Sequence, residues 1–236
     1  MVRSDQSRPA GQPRRTRPLM RKYEVSFLAP NGDVENVARL APATALFESA
    51  FMAFARGTLI ATPEGALAVE DLVPGMTVLT VDGGPETVVW TGTTTVVPGA
   101  AGQSEDAGRL TRIPADTMGF QRPSHDLLLG LGARIFRVHR GLLVPATDLI
   151  DGEAAFSVTP PSPVRVYHLA LRHHACIRAS GVEMETFHPG DTLRRLARPE
   201  IKSLYMSLFP HARSAEDFGP LRIARETENP DLGGLS

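Results

Sequence analysis

Short apolar runs separated by Gly, Pro and Asn turns dominate the first half of the chain. Residues 23–30 and 34–40 have strand-forming composition on either side of Asn31-Gly32-Asp33, and an Asn-Gly pair tolerates the positive φ angles of a tight hairpin. A second hairpin is predicted where residues 76–81 and 87–97 flank Asp82-Gly83-Gly84-Pro85. Further short strands are predicted at 57–62 and 67–72, and the alanine-rich stretch 43–54 is compatible with helix or strand.

The second half continues the strand pattern to about residue 190 and then changes period. The run at 164–171 is predicted to pair with 175–179, which leads to Gly181. Five apolar residues then follow the i, i+3, i+4, i+7, i+8 spacing of one helical stripe, which predicts a helix between Pro199 and Pro210 that caps the β domain. The stripe consists of Ile201, Leu204, Tyr205, Leu208 and Phe209. Other predicted strands are 112–114, 127–131, 135–138 and 141–149.

Composition supports an all-β fold that buries a hydrophobic core. Of the 236 residues, 42% are hydrophobic and 22% are charged, which is enough apolar surface to bury. The 21 Gly and 20 Pro favour many short elements joined by turns. The single cysteine excludes a disulfide framework and a thiolate-only metal site. No window resembles a membrane span or a secretory signal, so we expect a cytoplasmic location.

Charge divides the chain unevenly although the formal net charge is only −1. Residues 1–22 hold seven basic side chains against Asp5 alone and are rich in proline, which predicts a disordered basic tail, with weak contact to an anionic surface as the alternative. The near-neutral total gives no reason to expect nucleic-acid binding. The predicted organisation continues with a hairpin and connector at 23–52, a β domain at 53–191, a helical cap at 192–226 and a loose tail at 227–236.

The candidate chemistry visible without any comparison is a cluster of histidines near the cysteine. His168, His173, His174 and Cys176 could hold a metal ion or form a thiol–imidazole pair. Adjacent residues of a strand point to opposite faces, so His173 and His174 cannot both chelate from one side. Core or edge roles are therefore favoured, and a thiol- or metal-dependent enzyme is kept as an alternative.

Three ordered blocks carry a family resemblance that covers roughly residues 53–191. They resemble the hedgehog/intein autoprocessing module, the Hint domain, in its bacterial form. The blocks are Ala53-Phe54-Ala55-Arg56-Gly57-Thr58 with Pro63-Glu64-Gly65, Asp82-Gly83-Gly84 with Trp90-Thr91-Gly92, and Val166-Tyr167-His168-Leu169 with Met184-Glu185-Thr186-Phe187-His188-Pro189-Gly190-Asp191.

The resemblance implies an all-β Hint fold of hairpins, with an added C-terminal helix here, and an acyl-transfer chemistry. Active members use a Cys or Ser at the first position of the module to attack the preceding carbonyl, which converts an amide into a reactive ester. A second-block histidine protonates the scissile amide, and a third-block histidine, matched here by His174, assists the later step. No cofactor or metal is implied.

This chain departs from the family pattern at both main positions. The nucleophile position is Ala53, so nothing at that position can attack the Met52–Ala53 bond. The family's catalytic second block, a strand followed by Ser-Pro-x-His-Arg, lies between the last two of the three stretches given above. It matches best at residues 126–134, which puts Ala133 in the histidine position, and His125 is the alternative match through Pro123-Ser124-His125. The hydroxyls of Thr58 and Ser49 are near in sequence but do not occupy the nucleophile position.

The resulting hypothesis is a Hint module whose self-cleavage is lost or strongly impaired, leaving a structural or binding domain for an unidentified protein partner. The second hypothesis is an active module that combines His125 and His174 with an unconventional nucleophile such as Cys176. The third is the thiol- or metal-dependent enzyme built on His168, His174 and Cys176.

Overall fold

The computed structural model describes residues 19–81, 84–101, 103 and 108–226. Within these ranges the chain forms fifteen strands and three short α-helices, and every pairing between the strands is antiparallel. The predicted all-β class is confirmed. The strands are β1 (Met20–Leu28), β2 (Val34–Pro42), β3 (Phe54–Ala55), β4 (Leu59–Thr62), β5 (Gly65–Ala68), β6 (Thr77–Thr80), β7 (Gly84–Val96), β8 (Leu110–Ile113), β9 (Leu127–Leu129), β10 (Arg134–Arg137), β11 (Leu142–Pro145), β12 (Phe156–Val158), β13 (Val164–Leu171), β14 (Cys176–Ala179) and β15 (Val182–Glu185), and the helices are α1 (Ala45–Glu48), α2 (Thr192–Arg195) and α3 (Pro199–Met206).

The long strand β7 joins two sheets. Its first residues pair with β6, and the remainder pairs with β13 on one side and β1 on the other. Side chains along β7 alternate between buried and half-buried positions over most of its length, as expected when one face of a strand packs on a core. The β7–β13 ladder also places β3 beside β13, and β9 beside β3.

Both hairpins predicted from turn sequences are confirmed. β1 pairs with β2 along its whole length around Gly32, whose φ is 90°. β6 pairs with β7 up to Thr80 and Gly84, while Asp82 and Gly83 of that turn lie outside the described residues.

The boundary of the basic tail requires a correction. β1 begins at Met20, before the predicted start of order at 23, and Arg21 is only 7% exposed because its guanidinium lies 2.9 Å from the Glu48 carboxylate. Residues 1–18 and 227–236, which hold the rest of the predicted tails, lie outside the described residues.

The predicted pairing of 164–171 with 175–179 is wrong. β13 pairs with β7 and β3, whereas β14 pairs with β15 and bridges to β4 and β6. The connector 172–175 contains none of the Gly, Asn, Asp or Pro residues that tight turns use, so it carries the chain between sheets. The hairpin forms instead at Ser180-Gly181, where both φ angles are positive, at 48° and 85°.

An aromatic cluster attaches the first and last elements to the middle of β7. Phe51, which follows α1, lies edge-on to Trp90 with ring centroids 5.3 Å apart, and Phe209 packs against Trp90 at 5.0 Å. The indole N–H of Trp90 donates to the Leu208 carbonyl at 2.8 Å. Helix α3 ends at Met206, so the last two residues of the predicted stripe are buried in the turns that follow it. In the described part of the chain, no helix has the length and apolar character that crossing a bilayer requires.

Candidate functional site

The peptide bond between Met52 and Ala53 is buried between α1 and β3. Met52 is 1% exposed and Ala53 is fully buried. The Ala53 N–H donates to the Tyr167 carbonyl at 3.0 Å, and the Ala53 carbonyl accepts the Gly130 N–H at 3.1 Å. The Met52 carbonyl accepts the Gly132 N–H at 2.8 Å. A backbone donor therefore polarises the carbonyl that precedes the nucleophile position, as oxyanion donors do.

The loop 130–133, which follows β9, lies directly against this bond. A Cβ atom at Gly130 would come within 2.5 Å of the Met52 oxygen, and one at Gly132 within 1.9 Å of the Ser49 oxygen. Glycine at both positions is what permits this approach. Ala133 ends the loop, and its N–H donates a hydrogen bond to the Gly130 carbonyl at 3.1 Å. Ala133 is buried in the hydrophobic core. The side chain at position 133 is thus a methyl group without acid or base character.

His125 lies at the opposite end of β9 from this loop. Its Nδ1 is 3.1 Å from the Ser124 hydroxyl and its Nε2 is 3.2 Å from the Ser180 hydroxyl. β9 pairs with β3 through Leu129 and Phe54, so the strand itself, roughly 10 Å long at about 3.3 Å per residue, separates His125 from the Gly130 end. Of the two candidates for the second-block histidine position, Ala133 ends the loop whose Gly132 N–H donates to the Met52 carbonyl, whereas His125 lies beyond the far end of β9.

The two nearby hydroxyls are engaged elsewhere. Thr58 is 3% exposed, and its hydroxyl donates to the Ala55 carbonyl at 2.8 Å. The Ser49 hydroxyl lies 3.5 Å from the Leu46 carbonyl, one turn back. These contacts give Thr58 and Ser49 local roles in holding the backbone around the bond.

His174 belongs to a buried charged network. Its Nδ1 accepts the Arg222 N–H at 3.1 Å, so its Nε2 carries the proton and donates to the Glu185 carboxylate at 2.6 Å. The same carboxylate oxygen accepts from Arg225 at 2.8 Å, and the other lies 3.5 Å from Arg134. Burial acts to raise the pKa of Glu185, but the hydrogen bond from His174 and the charge of Arg225 outweigh it and hold the pKa below its ordinary value.

The members of the histidine–cysteine cluster differ in exposure and in hydrogen bonding. Cys176 is buried on β14, whereas His173 is exposed. Both nitrogens of His174 are already committed to protein partners. Among the described residues no group of three or more His, Cys, Asp or Glu side chains has an arrangement that could hold a metal ion.

Glu185, Arg134 and Arg225 are not among the site residues predicted from the sequence. Glu185 stands in the closing block of the resemblance, which was the available signal. Arg225 contacts Glu185 across 40 residues of sequence, and no periodic pattern connects the two. Arg134 matches the final arginine of the second-block motif Ser-Pro-x-His-Arg, but that motif assigned it no role.

Comparison with known proteins now adds to this geometry. Residues 52–191 match a family model described as the Hint domain. Similar solved structures include the solution structure of a bacterial intein-like domain from Clostridium thermocellum, with 17% identity, a TM-score of 0.44 and coverage of 57% of this chain and 98% of that one. The crystal structure of the MchDnaB-1 intein has 18% identity, a TM-score of 0.35 and coverage of 57% and 100%. None of the curated proteins matches significantly.

Proposed function

Because the chain belongs to the Hint-domain family, we propose that it is a Hint module that does not cleave itself at the Met52–Ala53 bond and that serves as a structural or binding domain. One observation carries the proposal. Ala53, which follows the bond, and Ala133, at the end of the loop that contacts the bond, both have buried methyl groups as side chains.

The chemistry of the family explains why these methyl groups matter. An N-to-S or N-to-O acyl shift needs a lone pair on the side chain at position 53 to attack the Met52 carbonyl. It also needs an acid that protonates the departing Ala53 nitrogen. Loss of one member of such a set costs roughly 10⁴ to 10⁶ in rate. The Gly132 N–H on the Met52 oxygen can stabilise charge, but it supplies neither missing function.

The segment before the bond supports a structural role. β1 pairs with β7, and Phe51 lies against Trp90 in the aromatic cluster. Residues 20–52 are therefore part of the same core as the module, whereas a released product would need a separable segment. We propose that this continuous core is the platform on which the module meets a protein partner.

Intact mass measurement under denaturing conditions tests the proposal. The purified chain is incubated with and without dithiothreitol, and denaturation prevents a docked fragment from being counted as uncleaved protein. We expect one species at the full 25.5 kDa in both samples. Loss of residues 1–52, especially if the thiol accelerates it, would overturn the proposal. The variants Cys176→Ala and His125→Ala would then show whether either side chain performs the cleavage.

A further inference from the structure

The strand β2 lies at an open edge of its sheet. It is nine residues long and pairs with β1 along its whole length, and no strand lies on its other side in the part of the chain that the structure describes. From Val34 to Leu40 every residue except Val37 is exposed. The stretch contains neither proline nor lysine, and its register is uninterrupted. A long exposed edge of this kind is a template for pairing with a further strand.

The register with β1 shows which backbone groups of β2 point toward the open edge. The Ala29 N–H donates to the Asp33 carbonyl at 2.8 Å, and the Ala43 N–H donates to the Leu19 carbonyl at 2.7 Å; both bonds extend the β1–β2 register. Hydrogen-bonded and non-hydrogen-bonded pairs alternate in an antiparallel ladder, so the odd-numbered residues of β2 direct their backbone groups to β1. The even-numbered residues direct theirs to the open edge, and these are Val34, Asn36, Ala38 and Leu40.

The sequence of this edge is complementary to itself when two copies run antiparallel with Val37 at the centre. The pairs are then Val34 with Leu40, Glu35 with Arg39, Asn36 with Ala38, and Val37 with Val37 of the second copy. This register places even-numbered residues opposite even-numbered residues, so the outward N–H and C=O groups of one copy meet those of the other. A register shifted by one residue would not align these groups.

Side-chain charge favours the same register. Glu35 and Arg39 are exposed, and neither forms an ion pair within the described residues. Four residues apart on one strand, they are separated by about 13 Å and cannot pair within one copy. Arg39 donates instead to the adjacent Ala38 carbonyl at 3.2 Å, and that oxygen keeps a second lone pair for an edge hydrogen bond. Across two copies the Glu35–Arg39 contact forms twice, at non-hydrogen-bonded pairs, where opposing side chains are closest.

We propose that β2 pairs antiparallel with β2 of a second copy of this chain, centred on Val37, and forms a symmetric dimer with one sheet continuous through both copies. Val34 and Leu40, which are 44% and 64% exposed, then cover each other across the interface. One strand from each copy makes a small interface, so we expect a dissociation constant in the micromolar range or weaker. The pairing is independent of the proposed loss of self-cleavage, because β2 holds none of the residues at the Met52–Ala53 bond.

Sedimentation equilibrium of the full chain, from about 1 μM to about 500 μM, tests this proposal, and we expect a reversible monomer–dimer equilibrium. Glu35→Arg and Arg39→Glu each place like charges opposite each other, so each should weaken dimerisation roughly tenfold or more. An equimolar mixture of these two variants should form a heterodimer. The double variant Glu35→Arg with Arg39→Glu should dimerise like the unaltered chain, because opposite charges again face each other.

Glu64→Arg is the control, since it makes the same charge change at an exposed position outside β2 and should leave dimerisation unchanged. A chain that stays monomeric over the whole concentration range would leave the edge to a strand of a different protein and would overturn the proposal. A double variant that dimerises no better than the single variants would also overturn it. Self-cleavage, measured separately by mass, bears only on the proposed function.

A cysteine on the symmetry axis tests the register directly. In Val37→Cys the two introduced residues would face each other with Cα atoms about 4.5 Å apart, which is within disulfide range. Mild oxidation should therefore give a covalent dimer on a non-reducing gel, whereas the native Cys176 is buried and should not react. Leu40→Cys, on the same strand, would place the two sulfur atoms about 20 Å apart and should not cross-link. Equal cross-linking of the two variants would indicate random collision and contradict the proposed register.

Discussion

A methyl group can neither attack a carbonyl nor donate a proton, and at the residue scale the proposed loss of self-cleavage rests on this property of Ala53 and Ala133. The Gly132 N–H still donates to the Met52 oxygen at 2.8 Å, which is the oxygen that becomes negatively charged during attack. This donor is one electrostatic component of an acyl-transfer site, while under the proposed function Ala53 supplies no nucleophile and Ala133 supplies no acid. Placing a cysteine at position 53 and a histidine at position 133 tests the contributions of the nucleophile and the acid separately.

Ala53→Cys should introduce slow, thiol-dependent cleavage at the Met52–Ala53 bond. The double variant Ala53→Cys with Ala133→His should cleave faster by about 100-fold or more, because a positioned general acid contributes about that much to the rate. Denaturing intact mass spectrometry over time measures both rates. Ala55→Cys adds a buried thiol two residues away and should give no cleavage. A double variant no faster than Ala53→Cys would show that position 133 is not the histidine position.

Gly132→Ala should destabilise the fold by about 3 kcal/mol, at the upper end of overpacking effects, because its Cβ would meet backbone and not a movable side chain. The contact in question is 1.9 Å to the Ser49 oxygen. Urea unfolding of the variant and of Gly141→Ala provides the comparison. A Cβ at position 141 would meet open space, and Gly141 has a φ of 64°. The stability lost in Gly141→Ala, about 1 kcal/mol, should therefore come from backbone strain alone. Equal losses of stability in Gly132→Ala and Gly141→Ala would mean that the loop 130–133 can shift away from residues 49–52 at little cost.

At the element scale, turn chemistry decides which strands pair. In the Asn31-Gly32 turn the glycine has a positive φ angle, and in the Ser180-Gly181 turn both residues do. A hairpin forms at each of these turns. The connector 172–175 lacks such residues, and the strands on either side of it join different sheets. Apolar composition identified the strands, but it could not show their partners, since pairing depends on contacts distant in sequence.

Phe209→Ala should destabilise the protein by about 3–5 kcal/mol, because the ring is fully buried and stacks on Phe187 at a centroid distance of 4.8 Å. Trp90 is the single tryptophan of the chain, so its fluorescence reports the loss directly. We expect the Trp90 emission of Phe209→Ala to shift to longer wavelength at neutral pH and the urea concentration at its unfolding midpoint to fall. Phe120→Ala makes the same substitution at a ring that is 88% exposed, and it should change neither quantity. An unchanged Trp90 signal in Phe209→Ala would mean that the cap does not shield β7.

At the scale of the whole molecule, the fold class and most strands follow from the alternation of apolar runs and turns. The candidate site follows only in part. Ala53 and Ala133 were assigned from the order of the blocks, and their roles stay a prediction, whereas the Glu185–Arg225 contact joins residues that no local pattern relates. The environment of His168 depends on two segments distant in sequence, one carrying Phe54 and the backbone of Ala50 and the other carrying Phe187. Burial of this kind is a property of the assembled core.

That burial predicts acid sensitivity of the whole fold. The pKa of His168 is lowered to about 4 by burial, against about 6.5 in the unfolded chain, so between these values the unfolded state binds the proton and the folded state does not. Stability therefore falls as pH decreases from about 6.5 toward 4. The loss attributable to His168 is about 2 kcal/mol at pH 5. His211, whose pKa burial also lowers to about 4, acts in the same direction. Glu185 adds its loss at lower pH, beginning below the ordinary pKa of a glutamate, because its folded-state pKa is lowered.

Urea unfolding at pH 7.5 and pH 5 measures this dependence, and variants assign it. His168→Gln should lower stability at pH 7.5 but lose less between the two pH values than the unaltered chain, since the titrating ring is gone. His173→Gln removes an exposed histidine from the same region and should leave the pH dependence unchanged. Groups that face His168, namely Glu185 and Arg225, remain in both variants. An unaltered pH dependence in His168→Gln would show that the ring is protonated or solvated in the folded state, contrary to the burial described above.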